Sequence, residues 1–374
     1  MKNIYILHNK FLDNLGEKFS IGGVETYILN LAKLFMTSNY NVKIYQFSKF
    51  NFTREYDGLK IIGLKVSQKK FESDKKKLYK FLINNEKINY KDDVLIFGSD
   101  YMIVKNDFCN SIAIQHGIAW DILSYKNEKN ISNIFSIFLK MLGSIKKYIR
   151  YSKVNEIVAV DYNFLNWYRT QIKNINNKIM VIPNFVKNIV VRKDYSCECI
   201  KIIFARRFVE YRGTRLFTNA IEKILKLNLY NLKITIAGEG PEAIFMHNKL
   251  DCFKNVKFIK YNPDDSYEIH KNNDIAVVPT LGSEGTSLSL LEAMGAGCAV
   301  IASNIGGMTN IIIDHYNGLL IEPNEDSLVN SLLLLTNDYE LRKKLGLNAS
   351  MTTNESFNKS NWDKKWLDVL NFRR

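Results

Sequence analysis

The stretch VPTLGSEGTSLSLLEAMGAGCAVIASNIGG, residues 278–307, decides the fold of this chain. Its pattern predicts the end of a strand, a glycine-bearing loop, a short helix, an apolar strand and a second glycine loop. Alternating strands and helices of this kind are typical of a parallel sheet covered by helices. Two acids flank the start of the predicted helix, Glu284 in the loop before it and Glu292 inside it.

The start of this helix, at Gly285, Thr286, Ser287 and Leu288, suits an anion. The first N–H groups of a helix lack partners within it, and the helix dipole favours negative charge there. A phosphate on these N–H groups, with two carboxylates beside it for hydroxyl groups, would suit a nucleotide-sugar. The structural alternative is that Thr286 or Ser287 caps the helix and that both acids are solvated.

The rest of the chain repeats the alternation in two successive halves, and its 374 residues are enough for two domains. Pro183 and the polar stretch 187–198 mark the boundary. We therefore predict a first domain over residues 1–186 and a second over residues 187–359. Both are expected to be α/β, doubly wound and Rossmann-like, and a cleft between two such domains is a favoured ligand site.

Charge is uneven along the chain. Residues 1–185 contain 28 Lys and Arg against 16 Asp and Glu, a net charge of +12, whereas the whole chain carries +14. A basic first half indicates anionic lipid, an acidic acceptor or nucleic acid as partner, unless the lysines only confer solubility. The helix predicted over residues 134–150 is amphipathic, which fits either a membrane interface or packing on the core, and we favour core packing.

Two features of the first half lie at predicted strand ends. Gly22 and Gly23 connect the strand NIYIL to the helix VETYILNLAKLF, which opens a βαβ unit without a full dinucleotide-binding or phosphate-loop motif. His116 follows the strand SIAIQ. Ligands of open α/β sheets gather at the carboxyl ends of strands, so His116 is a candidate functional residue, with a hydrogen-bonded structural histidine as the alternative.

Arginines concentrate after the first strand of the second half. Arg206, Arg207 and Arg212 follow the strand IKIIFA, at the sheet edge where residues 282–288 are also predicted to lie. Because guanidinium groups bind phosphate oxygens through paired hydrogen bonds, this loop is a candidate diphosphate clamp, the alternative being an exposed basic loop. A glycine loop begins at Gly238, after the next strand.

Compartment and metal use follow from what the sequence lacks. Its five scattered cysteines form no disulfide or zinc pattern and fit a reducing compartment. The first residues turn polar too soon for a signal peptide, and no apolar run reaches the roughly 20 residues that span a bilayer. No pair of aspartates makes a convincing metal site. We expect a cytoplasmic protein without metal or other cofactor, peripheral on the inner face of the cell membrane through its basic first half together with the helix over residues 134–150.

These motifs resemble those of the retaining GT-B glycosyltransferases of family 4, the glycosyl transferases group 1. The similarity covers nearly the whole chain, more loosely in the first half, and the spacing of Glu284 and Glu292 is its most specific part. It runs through IPN (182–184), FARRFVEYRG (204–213), IAGEGP (236–241), the opening stretch and NGLLIEP (317–323). The resemblance implies the GT-B fold, in which the final helix, residues 360–374, crosses back onto the first domain.

The resemblance also implies roles for single residues. Arg207 and Arg212 would hold the donor pyrophosphate, Glu292 the ribose hydroxyls, and Glu284 the donor sugar, while His116 would lie near the sugar and the acceptor. The implied catalytic set is Glu284, Arg207, Arg212 and His116, and the implied donor-binding set is Gly23, Arg206, Gly238, Gly285, Thr286, Ser287, Leu288 and Glu292.

The implied reaction is a retaining, metal-independent transfer of sugar from a nucleotide-diphosphate sugar, a UDP-sugar above all, to a hydroxyl of a glycan or lipid-linked glycan in cell-surface polysaccharide assembly. Three departures from the family pattern leave the donor open: Arg212 for lysine, Arg206 for glycine, and EGTSLS for EGFGL. The alternatives are a nucleotide-sugar epimerase or hydrolase and a basic binding module without catalysis. Nucleic acid is not expected, because no aromatic–basic motif is present.

Overall fold

The computed structural model describes residues 2–20, 22–67, 70–117, 133–171, 178–187, 195, 198–228, 231–262, 265–282 and 284–371. The chain forms two compact units, the first made of Met1–His116 and Glu128–Ile182, the second of Gly117–Asn127 and Pro183–Arg374. The boundary predicted between residues 186 and 187 lies a few residues beyond the division at Pro183.

In the described part of the first unit, eight strands form one sheet in the order β3-β4-β2-β1-β5-β6-β7-β8. The strands are β1 Asn3–Leu7, β2 Asn41–Ser48, β3 Phe52–Tyr56, β4 Leu59–Lys65, β5 Val94–Phe97, β6 Asn110–Gln115, β7 Glu156–Ala159 and β8 Lys178–Val181. The helices are α1 Gly23–Thr37, α2 Phe71–Asn85, α3 Asn133–Tyr151 and α4 Tyr162–Gln171. Neighbouring strands pair in parallel, as predicted, except that β3 runs antiparallel to β4.

The antiparallel strand β3 was not predicted from the sequence. It is joined to β4 by Asp57 and Gly58, which both adopt positive φ angles of 55° and 78°. A two-residue hairpin turn of this kind requires positive φ, and an Asp-Gly pair is a common solution. The hairpin therefore adds an edge strand to an otherwise parallel sheet.

The second unit is a parallel sheet of six described strands in the order β11-β10-β9-β12-β13-β14. The strands are β9 Ile200–Ala205, β10 Leu232–Ala237, β11 Val256–Ile259, β12 Ile275–Val278, β13 Ala299–Ser303 and β14 Leu319–Ile321. The helices are α5 Thr214–Leu227, α6 Ala243–Leu250, α7 Ser266–Lys271, α8 Leu288–Gly295, α9 Glu325–Asn337, α10 Tyr339–Ser356 and α11 Lys359–Asn371.

Apolar side chains cover both faces of this second sheet. Every residue of β12 and β13 is buried, which matches the near-continuous apolar runs expected of a parallel sheet with helices on both faces. On one face Ile202 and Phe217 belong to one apolar cluster, and on the other Leu290 and Met294 of α8 belong to a second. The α/β, doubly wound architecture predicted for the second half is therefore confirmed.

The last helix, α11, joins the second unit through its start. The rings of Trp362 and Phe185 lie 4.8 Å apart, and Val186 forms an isolated bridge with Asn358. That α11 also crosses onto the first domain stays a prediction. No helix within the described ranges is both long enough and apolar enough to cross a bilayer.

The core packing favoured for the amphipathic helix over residues 134–150 is wrong where the structure describes its side chains. These residues of α3 carry an apolar face that is 40–59% exposed: Phe138, Met141, Leu142, Ile145 and Ile149. The side chain of Ile134 lies outside the described set. Tyr151, at the end of the helix, is fully buried instead. The helix thus presents its apolar face outward.

Candidate active site

Two loops meet at the carboxyl edge of the second sheet. One follows β9 and begins with Arg206, and the other follows β12 and contains Thr280. Because β9 and β12 are parallel neighbours, both loops leave the sheet at the same edge. The N–H of Leu281 donates to the carbonyl of Tyr211 at 2.9 Å and joins them. The predicted proximity of the arginine loop to the loop of residues 282–288 is thereby confirmed.

A cluster of two guanidiniums and one carboxylate lies where these loops meet, with Arg206 and Glu284 buried and Arg212 partly exposed. Nη2 of Arg206 donates to Oε2 of Glu284 at 3.2 Å, and Arg212 forms an ion pair with the same oxygen. Nη1 of Arg206 donates to Oγ1 of Thr280 at 2.6 Å and to the carbonyl of Arg212 at 3.3 Å. The arrangement fixes Glu284 between two cations.

The cluster carries more positive than negative charge. Burial, followed by the nearby Arg212, holds the pKa of Arg206 well below its ordinary value. Burial also lowers the pKa of Arg212, while Tyr211 opposes that shift, with its ring centroid 5.2 Å from the guanidinium carbon. Since arginine stays protonated in proteins, these directions mean that the site favours an added anion.

Arg207 does not contact this cluster directly, although its charge contributes to the lowered pKa of Arg212. Its side chain is exposed, and no hydrogen bond or ion pair joins it to the residues that the structure describes. The structure thus brings Arg206 and Arg212 onto Glu284 and leaves Arg207 at the surface of the loop. The role that the resemblance implies for Arg207 stays a prediction.

The start of α8 is arranged as an anion site would require. Ser287 occupies the N-cap position with extended backbone, yet its side chain makes no capping hydrogen bond within the described chain. Its hydroxyl lies 3.2 Å from that of Ser289 instead. The N–H of Leu291 makes the first bond of the helix, to the carbonyl of Ser287 at 3.1 Å. The preceding N–H groups are therefore not capped by Ser287, and a phosphate could accept from them.

The second glycine loop of the opening stretch supports the acid loop. The N–H of Gly307 donates to the carbonyl of Glu284 at 2.9 Å. A Cβ atom at Gly307 would lie 2.4 Å from the backbone of Gly285, and one at Gly306 would lie 2.2 Å from the carbonyl oxygen of Glu284. Only residues without a side chain allow this approach.

Gly238 likewise allows a close backbone approach, here to the arginine loop. Its φ is +140°, and a Cβ there would lie 2.1 Å from the carbonyl oxygen of Arg206. The N–H of Arg206 donates to the carbonyl of Ala237 at 3.0 Å, so the glycine lets the two loop starts run side by side. Gly238 thereby positions the arginine loop through backbone contact.

Glu292 forms a second polar centre on α8. Its carboxylate accepts from the hydroxyl of Ser266 at 2.6 Å. Desolvation raises the pKa of Glu292 to about 7, against the opposing effect of the Ser266 hydrogen bond. The pKa of the Tyr261 phenol is raised first by burial and then by Glu292, whereas Arg206 opposes this rise. Tyr261 therefore lies within electrostatic reach of both Arg206 and Glu292.

Four side chains of this site were missed by sequence reasoning: Asn184, Tyr261, Ser266 and Thr280. Asn184 stands in the quoted IPN motif and donates from Nδ2 to the carbonyl of Thr286. Thr280 follows a strand end, the same signal that singled out Arg206. Nothing in the local sequence distinguishes Ser266 or Tyr261, because their partner Glu292 is distant along the chain.

The first unit has its own polar cluster, built from the carboxyl ends of the neighbouring strands β1, β5 and β6. His116 follows β6, and its Nε2 lies 2.9 Å from the carbonyl of Gly98, which follows β5. The ring packs edge-on against Tyr27 at 5.4 Å between centroids. Desolvation lowers the pKa of His116 to about 4, so the imidazole is neutral near pH 7. Since a carbonyl only accepts, Nε2 carries the proton and Nδ1 is an acceptor.

His8 lies beside His116 in this cluster and was also missed, although it too follows a predicted strand. Its Nε2 lies 3.2 Å from Oε1 of Glu25, in the first turn of α1. Its Nδ1 is buried without a hydrogen-bond partner among the described residues. Gly23 begins α1 two residues before Glu25. The cluster therefore has two histidines at the sheet edge where a ligand of the first unit would bind.

Within the described ranges, no group of three or more His, Cys, Asp or Glu side chains could hold a metal ion.

The chain is similar in sequence to known glycosyltransferases. Residues 198–351 match the family model described as glycosyl transferases group 1. The uncharacterized glycosyltransferase MJ1178 of Methanocaldococcus jannaschii is 28% identical over 363 residues, which cover 92% of this chain and 92% of that protein. The second unit thus carries a glycosyl transferases group 1 domain.

Two solved structures have the same fold over both units. Sucrose-phosphate synthase from Thermosynechococcus elongatus gives a TM-score of 0.77 at 14% identity and covers 100% of this chain and 99% of its own. A mutant of TarM from S. aureus, in complex with fondaparinux, α-GlcNAc-glycerol and UDP, gives a TM-score of 0.71 at 16% identity and covers 99% and 100%. The fold is GT-B, as predicted, and the protein is an enzyme of the glycosyltransferase class.

Proposed function

We propose that the protein transfers a sugar from a UDP-sugar to a hydroxyl of a glycan or lipid-linked glycan, with retention of anomeric configuration and without a metal ion. The observation that carries this proposal is the cluster of Arg206, Arg212 and Glu284, with its excess positive charge, on the loops that lead to the start of α8, which Ser287 does not cap.

The donor diphosphate is the anion that best fits this cluster. Two guanidiniums share one carboxylate, so the cluster keeps a net positive charge. A diphosphate accepts paired hydrogen bonds from arginine and single bonds from helix N–H groups. It would compete with Glu284 for Arg212, whose side chain is 27% exposed and thus the more accessible of the two arginines. Glu284 would then turn to the hydroxyls of the donor sugar.

The nucleoside is assigned to the other end of α8. Glu292, already oriented by Ser266, would accept hydrogen bonds from the ribose hydroxyls. Uridine as the base is supported by the UDP in the TarM complex, a protein that shares the fold.

Transfer itself needs one bond to form and one to break. The acceptor oxygen bonds to the anomeric carbon while the bond from that carbon to the UDP oxygen breaks, and the hydroxyl proton passes to a phosphate oxygen of the leaving UDP. Attack and departure on the same side retain the configuration. Fixed guanidinium and N–H donors stabilise the charge that develops on UDP, a role that needs no metal. In the first unit, Nδ1 of neutral His116 would accept a hydrogen bond from a sugar hydroxyl.

The acceptor is assigned to the first unit. Its net charge, +12 over residues 1–185, favours an anionic acceptor such as a lipid-linked glycan with a phosphate link. The glycan-type ligands of the TarM complex support a saccharide acceptor. Assembly of cell-surface polysaccharide is the pathway that such an acceptor suggests.

The test is a panel of nucleotide-diphosphate sugars assayed with EDTA present, with nucleotide release and product mass both measured. The proposal predicts release of UDP that depends on an added glycan acceptor, an acceptor heavier by one sugar, and an anomeric configuration unchanged by NMR. Release without acceptor, or conversion of one nucleotide-sugar into another, would assign a hydrolase or epimerase instead. Loss of transfer on EDTA treatment would overturn the metal-independent mechanism.

A further inference from the structure

Helix α3 of the first unit exposes its apolar face to solvent, whereas a packed surface helix turns that face towards the core. Six large side chains on it, between 40% and 59% exposed, are Phe138, Met141, Leu142, Ile145, Tyr148 and Ile149. At 3.6 residues per turn they fall on one arc of about 120°. A contiguous exposed apolar face of this kind marks an interaction site.

Polar contacts fix the orientation of α3, and they hold its apolar face towards solvent. The hydroxyl of Tyr151 donates to Oδ2 of Asp100 at 2.8 Å, and Nη1 of Arg150 lies 3.8 Å from the same oxygen. Arg150 also stands 5.6 Å from the ring centroid of Tyr101, and Lys147 stands 6.0 Å from that of Trp167. Turning the apolar arc inward would break these contacts.

Cations stand at the end of the apolar face. Lys146 is exposed on α3 itself, and Lys153 is exposed just after it. Lys105 is exposed on a neighbouring loop, where Nδ2 of Asn106 donates to the carbonyl of Lys153 at 3.0 Å. The apolar face therefore has lysines at its border.

We propose that this face of α3 docks on an anionic lipid bilayer. Stable binding to a membrane surface usually takes two signals, and an apolar helical face with a lysine border supplies both. A second copy of the chain is disfavoured as occupant, because residues 1–185 of each copy carry +12 and would repel. Exposed Phe and Tyr side chains suit the boundary between headgroups and acyl chains.

Such docking is interfacial. An amphipathic helix lies in the membrane plane with its apolar face buried about 5–10 Å below the headgroups. The absence of a membrane-spanning helix from the described residues therefore does not count against it. The inference stands apart from the proposed transfer reaction, since it rests on none of the residues that bind the donor.

The test is flotation of the full-length protein with vesicles of phosphatidylcholine alone or mixed with phosphatidylglycerol. The variant Met141→Glu/Ile145→Glu places two acids on the apolar face, four residues apart. The matched control is Leu347→Glu/Met351→Glu on α10, where both side chains are also exposed and four residues apart. All three proteins are first compared by circular dichroism to establish that they are folded.

We expect flotation with the mixed vesicles, weakened by salt, at least about tenfold less for the α3 variant and unchanged for the α10 control. No flotation of the wild type with either vesicle overturns the proposal, and so does an equal loss in both variants. If light scattering shows a dimer that the α3 variant alone dissociates, the face binds a second copy instead and the proposal is wrong.

Discussion

Arg206 and Glu284 form a buried ion pair between residues 78 positions apart, with 3.2 Å from Nη2 to Oε2. Their side chains are 3% and 9% exposed. The pair exists because β9 and β12 are parallel neighbours, so that the loop after one strand meets the loop after the other. Arg206 stands where the family pattern has glycine, and the structure uses it to anchor the carboxylate that the resemblance assigns to the donor sugar.

Removing Arg206 should destabilise the fold. Arg206→Met leaves Thr280 and part of the Glu284 carboxylate without a donor, at a cost of about 3 kcal/mol in the free energy of unfolding. The measurement is urea denaturation. Arg215→Met is the matched control, because the exposed Arg215 pairs with Glu242 at the surface and its loss should cost much less. Equal effects of the two substitutions would show that the buried pair contributes no more to the free energy of unfolding than the surface pair does.

The exposed Arg207 allows a cleaner separation of binding from stability. Arg207→Ala should change the free energy of unfolding by no more than about 0.5 kcal/mol, because its side chain contacts none of the described residues by hydrogen bond or ion pair. If Arg207 holds the donor pyrophosphate, kcat/KM should fall at least about 100-fold. Lys257→Ala, an exposed cation on β11, is the control. Unchanged kcat/KM would remove Arg207 from the donor site.

The α/β architecture and the loop that bears Glu284 could both be predicted from the sequence. Buried parallel strands are nearly continuous apolar runs, and glycines mark the loops between them. Which arginine meets Glu284 was not predictable, because Arg206 and Arg207 are adjacent and only the direction of the chain after β9 decides which one points inward.

The prediction that α3 packs on the core was wrong for a different reason. The spacing of its hydrophobic residues correctly predicts a helix, but this spacing does not show whether the apolar face packs on the protein core or lies at the surface. The contacts of Tyr151 and Arg150 with Asp100 decide the orientation, and they join residues about 50 positions apart, beyond the reach of any local pattern.

Glu292 should make stability fall as the pH rises. Its pKa is raised from 4.5 to about 7 in the folded protein, so its contribution is complete below pH 4.5 and is lost as the pH rises through about 7. Glu292→Gln lacks this titration and should gain stability relative to the wild type between these values. Ser266→Ala should enlarge the wild-type loss, because the Ser266 hydrogen bond opposes the rise in pKa. Thermal melts across this range measure both, and parallel profiles of wild type and Glu292→Gln would contradict the account.

His116 should make stability fall as the pH falls, which is opposite to the effect of Glu292. Its pKa is lowered from 6.5 to about 4, so its contribution is complete above pH 6.5 and is lost as the pH falls towards about 4. In His116→Gln this part of the acid loss should vanish. The imidazole signal followed by NMR should titrate near pH 4 in the wild type. A midpoint near 6.5 would show that the ring is solvated and that Nδ1 is not a fixed acceptor.

If Arg206 and Arg212 bind the diphosphate of a nucleotide, titration calorimetry of UDP in the presence of EDTA detects this binding without any transfer reaction. We expect saturable binding by the wild type, at least about tenfold weaker binding by Arg212→Ala, and unchanged binding by the control Arg215→Ala. Equal UDP affinity of wild type and Arg212→Ala, or no UDP binding by the folded wild-type protein, would contradict this expectation.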